Sequence, residues 1–329
     1  MTASARKIYP VFFLTIGLLF GSCEQITGVR TLKIAHGHAT THPIAPTMDF
    51  LAKRVKEISN GALQIEVYPG QQLGTERQCL ELLQIGSLAM TKVSAAVFEN
   101  FAPNSKVLSL PYIFRSREHQ YQVFESEIGK SLLTESEKYW LRGLCFYDAG
   151  SRSFYTKDRP INRPEDLQGL KIRVQESATA MNLVRNLGGS PTPISYGELY
   201  TALQQGIVDG AENNPPSFFT ERHYETCKYY AINEHTTVPD IFLISTIIWD
   251  RLSEEEKKWL EQAVAESVVF ERAAWKKAEQ IALEAVQKAG VQITYPDKAP
   301  FMERLEGMLE AYQSEPEVYK LIQQIRAIE

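Results

Sequence analysis

The chain has 329 residues, 44% of them hydrophobic and 23% charged, with a formal net charge of -5. That balance belongs to a globular protein long enough to form two lobes. Lys and Arg are scattered rather than gathered into a stripe, which argues against nucleic acid. No apolar run is long enough for a mature transmembrane helix.

The N-terminus differs from the rest. Arg6 and Lys7 precede an apolar stretch from Val11 to Phe20, then Gly21, Ser22 and Cys23. Basic region, apolar core and small residues make a secretory signal peptide over residues 1–22. Its end, "LFGSC", resembles a bacterial lipobox, with Phe20 where Leu is usual. Cleavage sends the protein to the periplasm, and a lipid on Cys23 would anchor it to the membrane. The other cysteines, Cys79, Cys145 and Cys227, form no CxxC and are odd in number. They read as buried free thiols rather than a disulfide framework.

"TLKIAHG" (31–37) is a first strand, and the loop "HATTHP" follows. Ile44, Met48, Leu51, Val55 and Ile58 are spaced 4, 3, 4, 3, one face of a helix that Asn60 and Gly61 stop. "ALQIEVYP" alternates as a second strand. Thr75 and Gln78 form a capping box at the start of the next helix. Strand, helix, strand, helix predicts an α/β lobe with a largely parallel sheet.

The middle of the chain repeats this order. "GLCFYDAGSRSFYTK" (143–157) reads as one or two strands turning at Gly150. In "GLKIRVQES" (169–177), Leu170, Ile172 and Val174 alternate with Lys171, Arg173 and Gln175. An arginine there marks either a solvated sheet face or an anion clamp. "SATAMNLVRNLGG" is a helix ended by glycines, Ser195 and Glu198 form a second expected capping box, and "IVDGAEN" is a strand. After Pro239, "IFLISTIIW" reads as a strand. A helix over 254–289 is longer than one small lobe is wide and can span both. A strand over 291–296 and helices over 300–329 close the chain. The lobes are expected at 30–150 plus 238–270, and at 151–237 with the late strand.

"LLQIGSLAM" (82–90) and "ALQQGIVDG" (202–210) share Leu, Gln and Gly at equal offsets, each where a helix runs into a strand. The match aligns Lys92, Val93 and Ser94 with Glu212, Asn213 and Asn214. Both trios fall at carboxyl ends of strands, where open α/β sheets bind ligands.

Catalytic motifs are missing from the sequence: it has no GxSxG, HExxH or phosphate-cradling glycine loop. His36, His38 and His42 lack a Cys partner and lie in a loop of small residues, so a loop lining a cleft or facing solvent outweighs a metal site. No metal and no cofactor is expected. A distributed polar set gathers near strand ends: Arg152, Arg173, Glu212, Asn213, Asn214, Glu76 and Tyr196. Each has a bland reading: Glu76 favours a helix dipole, the two Asn cap a turn before Pro215, and Tyr196 packs.

"LPYIF" (110–114), "GLKIRVQES", "GGSPTPISYGELYTALQQGIVDGAENNP" and the long late helix resemble the solute-binding proteins of TRAP-type transporters, the DctP family. The likeness covers residues 30–325. It implies an α/β, two-lobed periplasmic-binding-protein architecture that holds a small organic acid in the inter-lobe cleft and delivers it to a membrane-embedded permease. The family's carboxylate-binding arginine falls on Arg173 and an assisting arginine on Arg152. Its amide falls on Asn213 beside Glu212, its ligand-lying aromatic on Tyr196, and its acidic residue over ligand hydroxyls on Glu76. Ser94 and Gly37, the latter flanked by His36 and His38, replace a carboxylate and an asparagine of sialic-acid binders, which counts against sialic acid.

A hydroxyl-rich acid needs both donors and acceptors, and a plain dicarboxylate needs donors only. Glu76, Glu212, Asn213, Asn214, His36 and His38 offer both, which favours a hexuronate such as glucuronate or galacturonate. "TKVSAA…AGSRSFYTK…AENNPPSF" also resembles the uronate-binding members. A C4-dicarboxylate, an aldonate or sialic acid is the alternative. A secreted sugar-acid hydrolase and a surface sensor lipoprotein are the rival classes; no acid–base pair supports the former.

Overall fold

The computed structural model describes residues 28–328, so the signal segment and Cys23 lie outside the described residues. Eleven strands among them form two sheets. The first sheet uses β1 (Arg30–His36), β2 (Leu63–Tyr68), β3 (Met90–Ser94) and β4 (Leu141–Tyr147). The second uses β5 (Arg152–Thr156), β6 (Lys171–Val174), β7 (Ser190–Pro193), β8 (Gly210–Asn213) and β9 (Tyr229–Thr236). The chain then returns to the first sheet with β10 (Asp240–Ser245) and to the second with β11 (Gln292–Thr294). The orders are β2-β1-β3-β10-β4 and β11-β9-β5-β8-β6-β7.

Each sheet is largely parallel, with a single reversed strand. β10 runs antiparallel to both β3 and β4, and β5 runs antiparallel to β8 and β9. The reason is connectivity: β4 leads straight into β5, and β9 into β10, so each strand enters its sheet from the other lobe. The chain crosses between lobes at 148–151 and 237–239.

The local signals mostly act as the physics requires. Helix Ile44–Ile58 buries Ile44, Met48, Leu51 and Val55, and stops where Asn60 and Gly61 take positive φ. Thr75 and Gln78 make the reciprocal capping box, as do Ser253 and Glu256. The second expected box does not form. The Ser195 hydroxyl donates to the Glu198 carboxylate at 2.5 Å, and Tyr196–Glu198 is a single 3-10 turn before helix Leu199–Gln204. The run "TIIW" is the helix Thr246–Trp249, not the end of a strand. An uninterrupted apolar run carries no period that could separate the two.

The 35-residue helix Glu254–Lys288 packs against helix Ile44–Ile58 and β4 at its start, and against helix Pro215–Thr220 of the other lobe later. It is a strut behind both lobes. Its Trp275 is fully buried between them.

Candidate functional site: an inter-lobe cleft

A small enclosed cavity lies between the lobes. Its volume is about 20 Å³. Lobe 1 contributes Glu76, Lys92, Ser94, His38 and Asp240, and lobe 2 contributes Arg152, Gln175, Tyr196, Asn213 and Ser217. A larger groove of about 510 Å³ runs between helix Arg117–Glu125 and the long helix, but Phe124, Leu133, Leu144 and Val268 make its lining mostly apolar. The polar groups converge on the smaller one.

Arg173 sits in the middle of β6 and is 1% exposed, which excludes a solvated face. Its Nε donates to the Ile194 carbonyl at 2.9 Å, while its Nη1 is buried with no partner. No carboxylate pairs with it among the described residues. Burial pushes its pKa down, and neighbouring Arg152 adds to this. A guanidinium still stays charged, so the fold holds an uncompensated cation that does not line the cavity itself but neighbours Arg152 and Tyr196, which do. Such a group costs several kcal/mol unless an anion reaches it.

Arg152 has a different role from the expected one. Its Nε donates to Glu212 Oε2 at 2.5 Å, its Nη2 to Glu212 Oε1 and to the Glu212 carbonyl, and its Nη1 to Asn213 Oδ1 at 2.8 Å. The two residues face each other because β5 pairs β8 with Phe154 opposite Glu212 and Ser153 opposite Asn213. Burial acts to raise the Glu212 pKa, but Arg152 outweighs it and, with His235 3.6 Å away, brings it down to about 2. Arg152 therefore neutralises Glu212 and orients the Asn213 amide, which uses four of its five N–H donors; one Nη1 hydrogen remains on a residue that lines the cavity.

Asn213 Oδ1 also accepts from the Asn214 N–H, so its amide NH2 is the remaining polar group. Asn214 caps helix Pro215–Thr220 through Ser217 N, which is its bland reading realised. Ser94 likewise caps helix Ala95–Phe98, and its hydroxyl donates across the cleft to Gln175 Oε1 at 3.3 Å. The Tyr196 ring meets His38 edge-on at 4.9 Å, and its hydroxyl is buried without a partner. A Cβ at Gly37 would touch Gln71 and the Tyr196 ring, so glycine leaves room there.

The lobe 1 wall is built on Lys92, which the internal match sets at a ligand-side strand end but which is not among the expected site residues. It is 1% exposed in the fully buried strand β3. Its Nζ is 2.9 Å from Asp240 Oδ2, 2.7 Å from His38 Nε2 and 3.5 Å from Glu76 Oε1. Glu76 Oε1 also accepts from Ser94 N at 3.2 Å. Burial raises the Glu76 pKa, and Lys92 counters it. His38 stacks on His42 at 3.8 Å, and both are held neutral by burial and by the charges around them. His42 Nδ1 accepts from Ile44 N, so its Nε2 donates across the lobes to Ser217 Oγ. His36 is buried with neither ring nitrogen bonded, and burial with Lys92 brings its pKa down to about 4. It does not line the cavity. For Lys92 the sequence signals are the internal match and a charge inside an apolar strand; for Asp240 only the latter, which folds tolerate only when paired.

The match with known proteins is extensive. Residues 34–315 fit the model of the bacterial extracellular solute-binding proteins of family 7, DctP. A relative in Salmonella typhimurium, the uncharacterized protein YiiZ, is 38% identical over 91% of this chain and 92% of its own. A TRAP periplasmic solute-binding protein from a Bradyrhizobium species, solved with galacturonate, is 36% identical, with a TM-score of 0.88 over 90% of this chain and 99% of that one. Another from Anaerococcus prevotii, solved with glucuronate, is also 36% identical, with a TM-score of 0.85 over 90% and 97%. A closed cleft with one buried, unpaired guanidinium beside it suits such proteins, and this chain belongs to the family 7 extracellular solute-binding proteins, which serve TRAP-type transporters.

Proposed function

We propose that this chain captures a hexuronate, glucuronate or galacturonate, by its carboxylate, closes on it, and delivers it unchanged to a membrane-embedded TRAP permease. The observation that carries this reading is Arg173: buried, cationic, with Nη1 unpartnered and no acidic neighbour bonded to it. A planar guanidinium offers two parallel donors that match one carboxylate. In a closed cleft each such bond contributes about 1.5–3 kcal/mol. Two of them supply a large part of a micromolar affinity, about 8 kcal/mol.

The remaining groups suit a sugar ring. The Asn213 amide and Gln175 offer donors, Glu76 an acceptor, and Tyr196 an aromatic edge beside them. Related proteins solved with galacturonate and glucuronate support the same ligand class. Residues 1–22 act as a signal peptide in this reading, and a lipid on Cys23 keeps the protein at the periplasmic face of the membrane.

The test is a thermal-shift screen of residues 24–329 against uronates, aldonates, sialic acid and C4-dicarboxylates. A ligand at 100 times its dissociation constant adds about 2.7 kcal/mol to the folded state. The melting temperature is expected to rise by several degrees with a uronate. A rise with succinate alone would replace the uronate by a dicarboxylate, and turnover of any of these acids would refute a pure binding role.

A further inference from the structure

The lobe 1 wall carries information that the carboxylate clamp does not use. Lys92 has three N–H donors and three partners: Asp240, His38 and Glu76. It has none left for an incoming anion. Because His38 Nε2 accepts from Lys92, its proton is on Nδ1, and that nitrogen is buried without a partner in a residue that lines the cavity. Glu76 Oε1 takes Lys92 and Ser94, which leaves Oε2 as an open acceptor.

Beside Glu76, whose place over a ligand hydroxyl the family resemblance already implies, we propose that His38 donates to that hydroxyl and that this wall rejects a second carboxylate. Lys92 is the positioning residue that fixes the His38 tautomer and holds Glu76. The inference rests on the reading that Arg173 takes the ligand's carboxylate.

Charge counting points the same way. Lobe 1 presents one cation, Lys92, against two carboxylates, Glu76 and Asp240, while His38 and His42 are neutral. Lobe 2 presents Arg173 unpaired, and its Arg152–Glu212 pair cancels. The site thus has one unpaired cation in lobe 2, Arg173, behind the lining residues of the cavity, and an acidic wall in lobe 1. A monocarboxylate with hydroxyls at its far end fits both. A carboxylate at that far end would only accept hydrogen bonds, so Glu76 would have no donor, and like charges brought together in a desolvated site are strongly unfavourable. The substrate class is a polyhydroxy monocarboxylate, and hexarates are excluded although they differ from uronates at one carbon.

Calorimetric titration of residues 24–329 tests this with matched acids: glucuronate against glucarate, galacturonate against galactarate, and gluconate against glucarate. The monocarboxylate is expected to bind at least about 100-fold more tightly in each bound pair. Glu76→Gln is expected to narrow that ratio by about tenfold while leaving uronate binding measurable. Equal binding of uronate and hexarate by the native chain would overturn the inference and leave the uronate reading intact. A ratio unchanged in a Glu76→Gln chain of native melting behaviour would remove Glu76 from the discrimination and overturn it too. Binding of gluconate but no uronate would discard the uronate reading and still support this one. No binding of any monocarboxylate would discard both. The comparison within the native chain does not depend on any variant folding.

Discussion

The two arginines of the cleft are chemically alike and are expected to fail in opposite ways. Arg173→Lys keeps a charge but loses the planar fork, so uronate affinity should fall by about 100-fold with the melting temperature nearly unchanged. Arg152→Ala removes the counter-ion of a buried glutamate. Breaking such a pair costs about 3–5 kcal/mol, so this variant should melt well below the native chain before any ligand is added. Calorimetric titration and thermal denaturation of both proteins separate the cases. An Arg152→Ala chain of native stability would show that Glu212 does not need its partner. The histidines set the pH response at the same scale. His36 is held near 4, below the ordinary 6.5, by burial and by Lys92, with His38 also near. The unfolded chain therefore takes up this proton first on acidification. The stability is present above about pH 6.5 and is lost as pH falls towards 4, by up to about 3 kcal/mol from this residue. Glu212 has its own window: its contribution is present above about pH 4.3 and is lost only as pH falls towards 2. Melting curves from pH 7.5 to 4.5 should decline, and His36→Gln should remove part of that decline, since His38, His42 and His223 are lowered in the same direction and supply the rest. A native curve flat over that range would contradict the assignment.

At the scale of elements, the internal similarity between 82–90 and 202–210 has a structural counterpart. The last residue of β3, Ser94, and the first residue after β8, Asn214, each cap a following helix. Each strand also carries a buried ion pair to another strand of its sheet, Lys92 to Asp240 and Glu212 to Arg152. The strand ends were legible from the sequence because capped helices and glycines bound them. The ion pairs were not, since their partners lie far along the chain and meet only through sheet register. That is why Arg152 read only as a ligand donor, and Lys92 as a strand-end residue without a role of its own. Arg173 was legible because alternation alone set it on a face with Lys171 and Gln175; what the sequence could not supply was that this face turns inward. The crossing at 148–151 tests the element scale. Gly150 has φ +58, and an added Cβ would meet Glu279 and lie 2.9 Å from Trp275 Nε1. Trp275 lines the cleft and donates to Glu279, which bonds Arg117 of lobe 1. Gly150→Ala combines a strained backbone with a displaced Trp275, so it should destabilise by about 1–3 kcal/mol and weaken uronate binding as well. Loss of stability without loss of affinity, in denaturant melts and titrations, would separate the crossing from the site.

For the whole molecule the question is how a ligand enters. A cavity of about 20 Å³ holds about one water, and ligand sites span about 300–1,000 Å³. The lobes must part. Several polar contacts bridge them: His42 to Ser217, Ser94 to Gln175, Ala39 N to Glu221, and Asn100 to the Glu176 carbonyl. Each of these contacts can be exchanged for water at small net cost, while a buried apolar cluster running from Val97 and Phe98 to Ile172 and Leu183 keeps the lobes joined. Two chain crossings and the long helix hold the back while the front opens, which is the geometry of a hinge. An uncompensated Arg173 favours the open state, where water reaches it, and a bound carboxylate removes that penalty and favours closure. Ligand affinity and closure are therefore the same free energy read in two ways. Small-angle scattering should give a radius of gyration near about 19 Å with saturating uronate and a larger value without it. Arg173→Lys should stay at the larger value at the same ligand concentration. Identical radii with and without ligand, in a chain that calorimetry shows to be saturated, would mean that closure does not depend on the carboxylate.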